Sequence, residues 1–374
     1  MNVLSFNLGS SSLKYAVHSV EGESARSLLA GTIATRPQPS TAAAAAQRAI
    51  DEVAADKVGI DAVAHRIVFG GEDDAPSIVT EELLHRLEDL MQLDPLHIPG
   101  SIAVVRRARE MLQDVIHVAC FDTAFFHDLP QSARTLPIPT DGDPLLRRFG
   151  FHGLSYEYVV HLLAGQLRPR TIVAHLGNGC SLAALLNGRP IDMTMGFSPL
   201  SGVIMATRPG DLDPGVLLYL LERRTHDGGG RLRAMLENES GLRALSGGES
   251  DLRRLCERRD APAALAVEMF VFSVSKAIGA LAVTLGGLDM LVFSGGIGEH
   301  NDQVRSEITA RVRFLNLHID VRVVSTDENA MIARHAALTQ EAHTERASCS
   351  AVSRTESMRP LTSTCAPKPM PKVQ

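Results

Sequence analysis

The sequence has few cysteines, and their spacing excludes two ways of stabilising a small domain. The 374 residues include five cysteines, an odd number, and no CxxC pair. This pattern excludes a zinc knuckle and a disulfide framework, and it indicates a reducing compartment. The N-terminal segment reads as an apolar strand without a basic region before it. We therefore expect a cytoplasmic protein.

The chain has no excess of positive charge and no long apolar run without a charged residue. Lys and Arg number 37 against 43 Asp and Glu, which gives a net charge of −6 and no general affinity for nucleic acid. The most apolar long segment, 261–285, is interrupted by Glu268 and Lys276, which a bilayer would penalise. We predict a core helix there, with neither a membrane nor a nucleic acid as partner.

The two commonest nucleotide-binding motifs are missing. No GxxxxGK[ST] sequence occurs, and the Gly177-Asn178-Gly179 turn lacks the third glycine of a dinucleotide fingerprint because Leu182 stands in its place. P-loop and dinucleotide-binding folds are therefore excluded.

A polar loop between two apolar runs is the most informative local feature. Residues 3–6 and 15–17 read as strands, and the loop between them offers Gly9 for close backbone approach and the hydroxyls of Ser10, Ser11 and Ser12. The Asn7 amide and the Lys14 ammonium complete a set that suits a phosphate or a metal-bound phosphate. The same residues are also typical of an ordinary hairpin turn.

The polar loop has a weak repeat later in the chain. Leu-Gly-Ser-Ser-Ser-Leu at 8–13 corresponds to Leu-Gly-Asn-Gly-Cys-Ser-Leu at 176–182, again between apolar strands. The repeat predicts a duplicated fold, with a nucleotide in a cleft that receives one loop from each half.

Strand and helix patterns alternate, which predicts an α/β protein. Helices are expected at 101–113, 155–167, 214–224, 262–285 and 301–313, with Ser101, Ser155 and Asn301 as N-caps. From residue 341 Ser, Thr, Arg and Pro dominate and apolar periodicity is lost. We predict a disordered tail at 341–374.

Four charged or titratable side chains are candidates for chemistry. His152 lies between glycines before a predicted helix, and Asp122 follows a predicted strand. Arg66 and Arg208 lie at a strand end and in a loop. Taken singly, such a histidine is more often structural and such an arginine more often a solvated surface residue. A strand at 290–294 also enters a glycine turn that lets backbone approach an anion.

The combination of motifs resembles the acetate kinase family over residues 1–340. The motifs that carry the resemblance lie, in the family's order, at 7–14, 65–71, 95–97, 121–125, 149–153, 175–179, 195–200, 246–251 and 295–299.

The resemblance implies a fold and a reaction. The fold is α/β, with two domains of duplicated ribonuclease H-like topology, as in actin, Hsp70 and sugar kinases, closing over ATP in a homodimer. The implied N-terminal domain is 1–147, with 328–340 packing back onto it, and the nucleotide-binding domain is 148–327. The reaction moves the γ-phosphoryl group of ATP to acetate or another short carboxylate, giving an acyl phosphate and ADP.

The resemblance also implies roles for individual residues. Asn7 and Glu328 resemble the site for Mg²⁺ or Mn²⁺, and Arg66, Asp122, His152 and Arg208 resemble the catalytic set. The carboxylate would meet Arg66 and an apolar pocket of Val68, Leu96, Phe151 and Pro199. The implied nucleotide contacts are Ser10, Ser12, Lys14, His175, Leu176, Gly177, Asn178, Gly179, Asp251, Leu252, Arg253, Gly296, Ile297, Gly298, Glu299 and His300.

Four positions depart from the family's usual residues. Ile98 and His300 each stand where Asn is usual, Ser201 replaces a Glu, and Ala206 replaces a Gly. These departures leave two alternatives open. One is a propionate or butyrate kinase with the same chemistry, and the other is a catalytically weak, nucleotide-dependent sensor.

Overall fold

The computed structural model describes residues 1–224, 229–316 and 318–357. The strands are β1 Asn2–Leu8, β2 Ser12–Glu21, β3 Ser24–Ala34, β4 Ala62–Ile67, β5 Ser77–Ile78, β6 Ile116–Phe121, β7 Arg170–Leu176, β8 Cys180–Leu186, β9 Arg189–Met193, β10 Met290–Ser294 and β11 Asp320–Val323. The helices are α1 Pro39–Ala55, α2 Glu81–Asp89, α3 Ile98–Met111, α4 Gln131–Arg134, α5 Gly153–Leu162, α6 Pro214–Arg224, α7 Gly230–Ala234, α8 Gly241–Leu245, α9 Leu252–Glu257, α10 Ala261–Leu285, α11 Gly295–His300, α12 Asp302–Val312 and α13 Glu328–Ser357.

The strands form two sheets with matching order. The first sheet runs β3-β2-β1-β4-β6-β5, and the second runs β9-β8-β7-β10-β11. In each, an antiparallel meander of three strands is followed by two parallel strands, and β5 adds an antiparallel edge strand to the first sheet. The polar loop at Gly9 and its repeat at Gly177 join the first two strands of their sheets. The predicted duplication is confirmed.

Helices cover both faces of the first sheet. The apolar face of α1, including Ala42, Ala46 and Val53, packs with the β1 residues Leu4 and Phe6. On the opposite face α13 contributes Met331, Ile332 and Ala336, which pack against Val3 and Val118. The last helix of the described chain therefore returns to the first sheet.

The apolar segment 261–285 forms the core helix that the sequence predicts. Helix α10 buries Phe270, Val274 and Ile278 in the cluster that also holds Leu182 and Leu291 of the second sheet. By length and composition alone α10 would also suffice to cross a bilayer. Its buried face is accounted for by packing within the protein.

One of the three predicted N-caps is confirmed. The Asn301 side chain accepts a hydrogen bond from the Val304 N–H at 3.0 Å, at the start of α12. The predictions for Ser101 and Ser155 are wrong, because α3 and α5 begin earlier, at Ile98 and Gly153. Pro99 lies in the first turn of α3, and α5 begins at Gly153 directly after the left-handed backbone of His152.

The C-terminal segment differs from the predicted tail. Helix α13 continues past residue 340 and ends at Ser357, whereas residues 358–374 lie outside the described residues. Once the first turns of a helix are docked, each further residue costs little to add. A polar segment without apolar periodicity therefore continues a helix that packing has already nucleated.

Gly153 begins α5 at the point where this helix meets the end of β6. Its N–H donates to the carbonyl of Asp122 at 3.1 Å. A Cβ at this position would lie 2.0 Å from that carbonyl oxygen, so α5 reaches the end of β6 only because the residue is glycine.

We expect Gly153→Ala to destabilise the protein by about 1–3 kcal/mol, the usual range for overpacking. Thermal unfolding followed by circular dichroism should show a fall in Tm of several degrees. The matched control is Gly279→Ala in α10, where an added Cβ meets nothing within 4 Å, and a gain of up to about 1 kcal/mol is expected from helix propensity. Equal Tm values for Gly153→Ala and the wild type would contradict this account.

Candidate active site

A cleft between the two sheets contains a cavity of about 780 Å³. The polar loops of both halves reach it, as the repeat predicts. The predicted nucleotide and metal residues that line it are Asn7, Lys14, His175, Gly177, Asn178, Gly179, Asp251, Leu252, Arg253, Gly296, Ile297, Glu299, His300 and Glu328. Most of the predicted nucleotide set therefore lies together.

Arg66 is the centre of a buried network at the carboxyl ends of β4 and β6. Its Nε and Nη2 donate to the two carboxylate oxygens of Asp122 at 3.0 and 2.5 Å. Its Nη1 donates to Asn7 Oδ1 at 2.9 Å. Burial alone would lower the pKa of Arg66, but the carboxylates of Asp122 and Glu328 raise it above its usual value. The guanidinium is therefore a fixed positive charge.

Glu328 connects α13 to this network. Its Oε2 accepts from Asn7 Nδ2 at 2.7 Å, and its Oε1 accepts from Ser155 Oγ at 2.5 Å. Burial opposes ionisation, yet Arg66, the neighbouring His175 and the hydrogen bond from Ser155 hold the pKa of Glu328 well below its usual range. An ionised carboxylate thus faces the larger cavity beside Asn7.

His152 occupies a left-handed backbone position, with φ 58°, immediately before α5. Its Nδ1 lies 2.8 Å from Ser181 Oγ, which lies 2.5 Å from the Tyr156 hydroxyl. Burial raises the pKa of Tyr156, so the phenol keeps its proton. A neutral imidazole that accepts from Ser181 at Nδ1 carries its own proton on Nε2.

The imidazole of His152 is neutral at neutral pH. Burial, followed by the neighbouring His175 and Arg66, lowers its pKa well below the usual value. A Cβ on Gly179 would lie 3.4 Å from both His152 Nε2 and Arg208 Nη2. The donor nitrogen of His152 and the Arg208 guanidinium therefore converge beside the second glycine loop.

A small cavity of about 130 Å³ adjoins the larger one. Arg66, Asp122, His152 and Arg208, the whole predicted catalytic set, line it. Its apolar walls include Val68, Phe151, Met195 and Pro199. The small volume is thus lined by two arginines and by apolar side chains. This shape suits a small organic anion.

Arg208 is held at the small cavity by backbone. Its Nη1 donates to the carbonyl of Pro199 at 2.8 Å. Burial lowers the pKa of Arg208 from its ordinary value, which at neutral pH still leaves a guanidinium charged. The cavity therefore carries two arginine charges.

Some predicted residues lie elsewhere. Leu96 lines a neighbouring cavity instead of the small one, and Ser10 lines the small cavity instead of the larger one. Leu176, Ser12 and Gly298 do not line the larger cavity among the described residues. The Leu176 backbone instead packs against Gly295, where an added Cβ would meet its carbonyl oxygen at 2.7 Å.

Sequence reasoning missed several functional contacts. Tyr156, Ser181 and Ser155 orient His152 and Glu328, and Met195 and His97 line the small cavity. Ser181 lies in the repeated motif, His97 in the 95–97 motif and Met195 in the 195–200 motif, so these three carried a signal. The partners of Tyr156 and Ser155 are distant in sequence and carried none.

The fold and the site together define a class of enzyme, the phosphotransferases with a small anionic acceptor. A family model described as the acetokinase family matches residues 35–345. The chain belongs to the acetokinase family, and it is a phosphotransferase whose acceptor is a carboxyl group. The resemblance stated from the sequence is confirmed.

Named relatives agree with this placement. An acetate kinase of Rhodopseudomonas palustris is 40% identical over 304 residues, covering 74% of this chain and 76% of the relative. One of Methylocella silvestris is 41% identical over 300 residues, covering 73% and 74%. Solved structures include an acetate kinase of Porphyromonas gingivalis, with TM-score 0.78, 31% identity and coverage of 91% and 99%. Another is a propionate kinase of Francisella tularensis, with TM-score 0.81, 28% identity and coverage of 90% and 99%.

The buried environment of His152 generates a pH prediction. Because its pKa is lowered in the folded protein, the unfolded chain binds a proton below about pH 6.5 that the native state does not. We expect the imidazole signals of His152 to show no titration between pH 6 and 8 in NMR spectra of the free protein, with N-acetylhistidine as the titrating reference.

The assignment of those signals comes from their loss in His152→Gln. This lowered pKa also makes stability fall as the pH drops below about 6.5, so the fall in Tm between pH 7 and 5.5 should be smaller in His152→Gln than in the wild type. A His152 titration midpoint near 6.5 would contradict the buried, neutral imidazole.

Proposed function

We propose that the protein is an acetate kinase, which transfers the γ-phosphoryl group of ATP reversibly to acetate and releases ADP. The main support for this proposal is that the small cavity and the larger cavity meet. Arg66, His152 and Gly179 line both the small cavity and the larger one. A carboxylate in the small cavity would therefore meet the terminal phosphate of a nucleotide in the larger one.

The proposed step is direct in-line transfer. An oxygen of the ionised acetate attacks the γ-phosphorus, a new P–O bond forms, and the bond to the β-phosphate oxygen breaks as ADP leaves. A carboxylic acid is already ionised at neutral pH, so no base is needed. The main obstacle is the repulsion between two anions.

The chain's own residues oppose that repulsion. Arg66 and Arg208 orient the carboxylate and neutralise the equatorial oxygens of the transferring group. Asp122 holds the Arg66 guanidinium through two hydrogen bonds. His152 donates from Nε2 to the transferring group, with Ser181 and Tyr156 fixing its tautomer. The apolar wall of Val68, Phe151 and Pro199 receives the methyl group.

Asn7 and Glu328 are the proposed metal site. The described residues contain no group of three His, Cys, Asp or Glu that would hold a metal ion alone. Two oxygen-bearing side chains beside the phosphate end nevertheless fit Mg²⁺, with Mn²⁺ as a substitute, because Mg²⁺ keeps most of its water and binds substrate phosphates. Bound there, the ion would neutralise charge on the β- and γ-phosphates.

We also propose two domains, 1–147 with 328–340 and 148–327, and a cytoplasmic homodimer. Helix α10 presents Leu265, Met269 and Phe272 at helical spacing, with 50%, 36% and 54% of their surfaces exposed. An apolar stripe of this kind suits contact with a second copy. The mass in solution by light scattering tests the dimer, and a monomer at micromolar concentration would overturn it.

Propionate is the second candidate substrate. One solved relative is titled a propionate kinase, and one added methylene changes discrimination by only about 1–3 kcal/mol.

The function is tested by trapping acyl phosphate with hydroxylamine. The purified protein is given ATP and Mg²⁺ with acetate, propionate or butyrate in separate reactions. We expect acyl hydroxamate with acetate, with a higher kcat/KM than for the longer acids. A higher kcat/KM for propionate would make the protein a propionate kinase. Product from none of the acids would refute the kinase assignment and favour the nucleotide-dependent sensor.

Replacing Arg208 with Ala should lower kcat about 10³- to 10⁵-fold, the range for an arginine that stabilises a transferring phosphoryl group. Arg208 donates to a backbone carbonyl, so its removal leaves no hydrogen-bonded carboxylate behind. Arg66→Ala should lower kcat by a similar factor, although it also leaves Asp122 buried without its partner.

Steady-state kinetics measure the loss, and circular dichroism checks that each variant folds. The matched control is Arg189→Ala, an exposed arginine at the start of β9, which should retain wild-type kcat. Near-normal turnover in folded Arg208→Ala would remove the arginine from the proposed mechanism.

A further inference from the structure

A third cavity lies beside the small one and has no role in the reaction described above. Its volume is about 620 Å³, and it lies between the 92–97 loop and the segments 197–200 and 229–237. Its apolar lining includes Leu93, Leu96, Phe197, Leu200, Leu232 and Leu236, and charged groups such as Arg233 and Glu237 also line it. Leu96, which the sequence assigns to the acyl pocket, lies here. We call this space the leucine cavity.

The leucine cavity and the small cavity share three lining residues, His97, Pro199 and Arg208. Arg208 belongs to the proposed catalytic set, and the Pro199 carbonyl holds it in place. His97 is therefore the shared residue whose side chain has no assigned part in phosphoryl transfer.

Asp94 fixes the His97 imidazole. His97 Nδ1 lies 2.9 and 3.1 Å from the two carboxylate oxygens of Asp94. The backbone N–H of His97 donates to the same carboxylate at 3.2 Å. Both side chains are almost fully buried, with 4% of Asp94 and 10% of His97 exposed. A ring held at two carboxylate oxygens in a packed site has one orientation, so it acts as a rigid wall.

We propose that His97, oriented by Asp94, separates the small cavity from the leucine cavity and so sets the longest acyl chain that the enzyme accepts. The inference rests on the proposed carboxylate kinase function. Acetate fits on one side of the imidazole. A longer straight-chain acid would need the space on the other side, where Leu93, Leu96, Leu232 and Leu236 offer apolar surface to an alkyl tail.

The test compares kcat/KM for acetate, propionate, butyrate and valerate in the wild type and in His97→Ala. We expect the valerate-to-acetate ratio to rise at least tenfold in the variant. Each methylene moved from water into an apolar cavity contributes a factor of about four, and the removed wall gives three methylenes a place. The KM for ATP should stay unchanged.

Asp94 is a positioning residue in this proposal. Its variants separate the effect of the His97 ring orientation from the effect of the carboxylate charge. Asp94→Ala frees the ring and should raise the ratio by an intermediate amount. Asp94→Asn keeps an oxygen that accepts from Nδ1 and should restore the wild-type ratio. A general structural defect would instead lower kcat/KM for every acid equally.

The leucine cavity is tested by filling it. Leu236→Phe in the His97→Ala background should cancel the gain for valerate and leave acetate unchanged, whereas Leu236→Phe alone should leave the ratio as in the wild type. If His97→Ala does not fold, His97→Ser carries the same comparison.

The outcomes distinguish this proposal from the function on which it rests. The proposed role of His97 is refuted if a folded, acetate-active His97 variant keeps the wild-type valerate-to-acetate ratio of kcat/KM. An equal loss of kcat/KM for all four acids refutes it as well. A wild type that makes no acyl phosphate from any acid overturns the proposed function itself.

Discussion

The buried ion pair between Arg66 and Asp122 is the interaction on which the rest of the site depends. Only 11% of the arginine side chain and 1% of the aspartate side chain are exposed. A buried pair is tolerated only when its remaining polar atoms also find partners. Asn7 and Glu328 supply them from β1 and α13, and Ser155 secures Glu328 from α5. The return of α13 to the first sheet therefore helps to position the Arg66 guanidinium, as well as being a feature of the fold.

The duplicated architecture could be predicted from the sequence because its signal is local. The two related motifs each lie in a tight loop between antiparallel strands, where a short peptide needs glycine and small polar residues. Leu8 pairs with Leu13 across the first loop, and Leu176 pairs with Cys180 across the second. The core helix at 261–285 could also be predicted from the sequence, since an apolar segment interrupted by single charges fits a helix with one buried face.

The hydrogen-bond partners within the site could not be predicted in this way. Ser155 reads locally as a helix cap, but its hydroxyl donates to Glu328, 173 residues away in sequence. Tyr156 carries no local signal of its role, and only the meeting of α5 with β8 brings its hydroxyl to Ser181, which contacts His152 Nδ1. Leu96 belongs to the right motif but faces the adjoining cavity. Local patterns give residue type and element, whereas these contacts arise only when distant elements pack.

The four departures from the family's usual residues fall on supporting positions around the reacting groups. Ala206 donates its backbone N–H to the Asn178 carbonyl at 3.2 Å, a contact that does not depend on the side chain. The Ser201 hydroxyl accepts from the Gly196 N–H at 2.9 Å, and His300 lines the larger cavity. Ile98 is buried in the apolar core at the start of α3 and offers no side-chain hydrogen bond to the adjacent His97. That imidazole is held by the Asp94 carboxylate, and in the proposal above this contact orients the side chain between the two cavities.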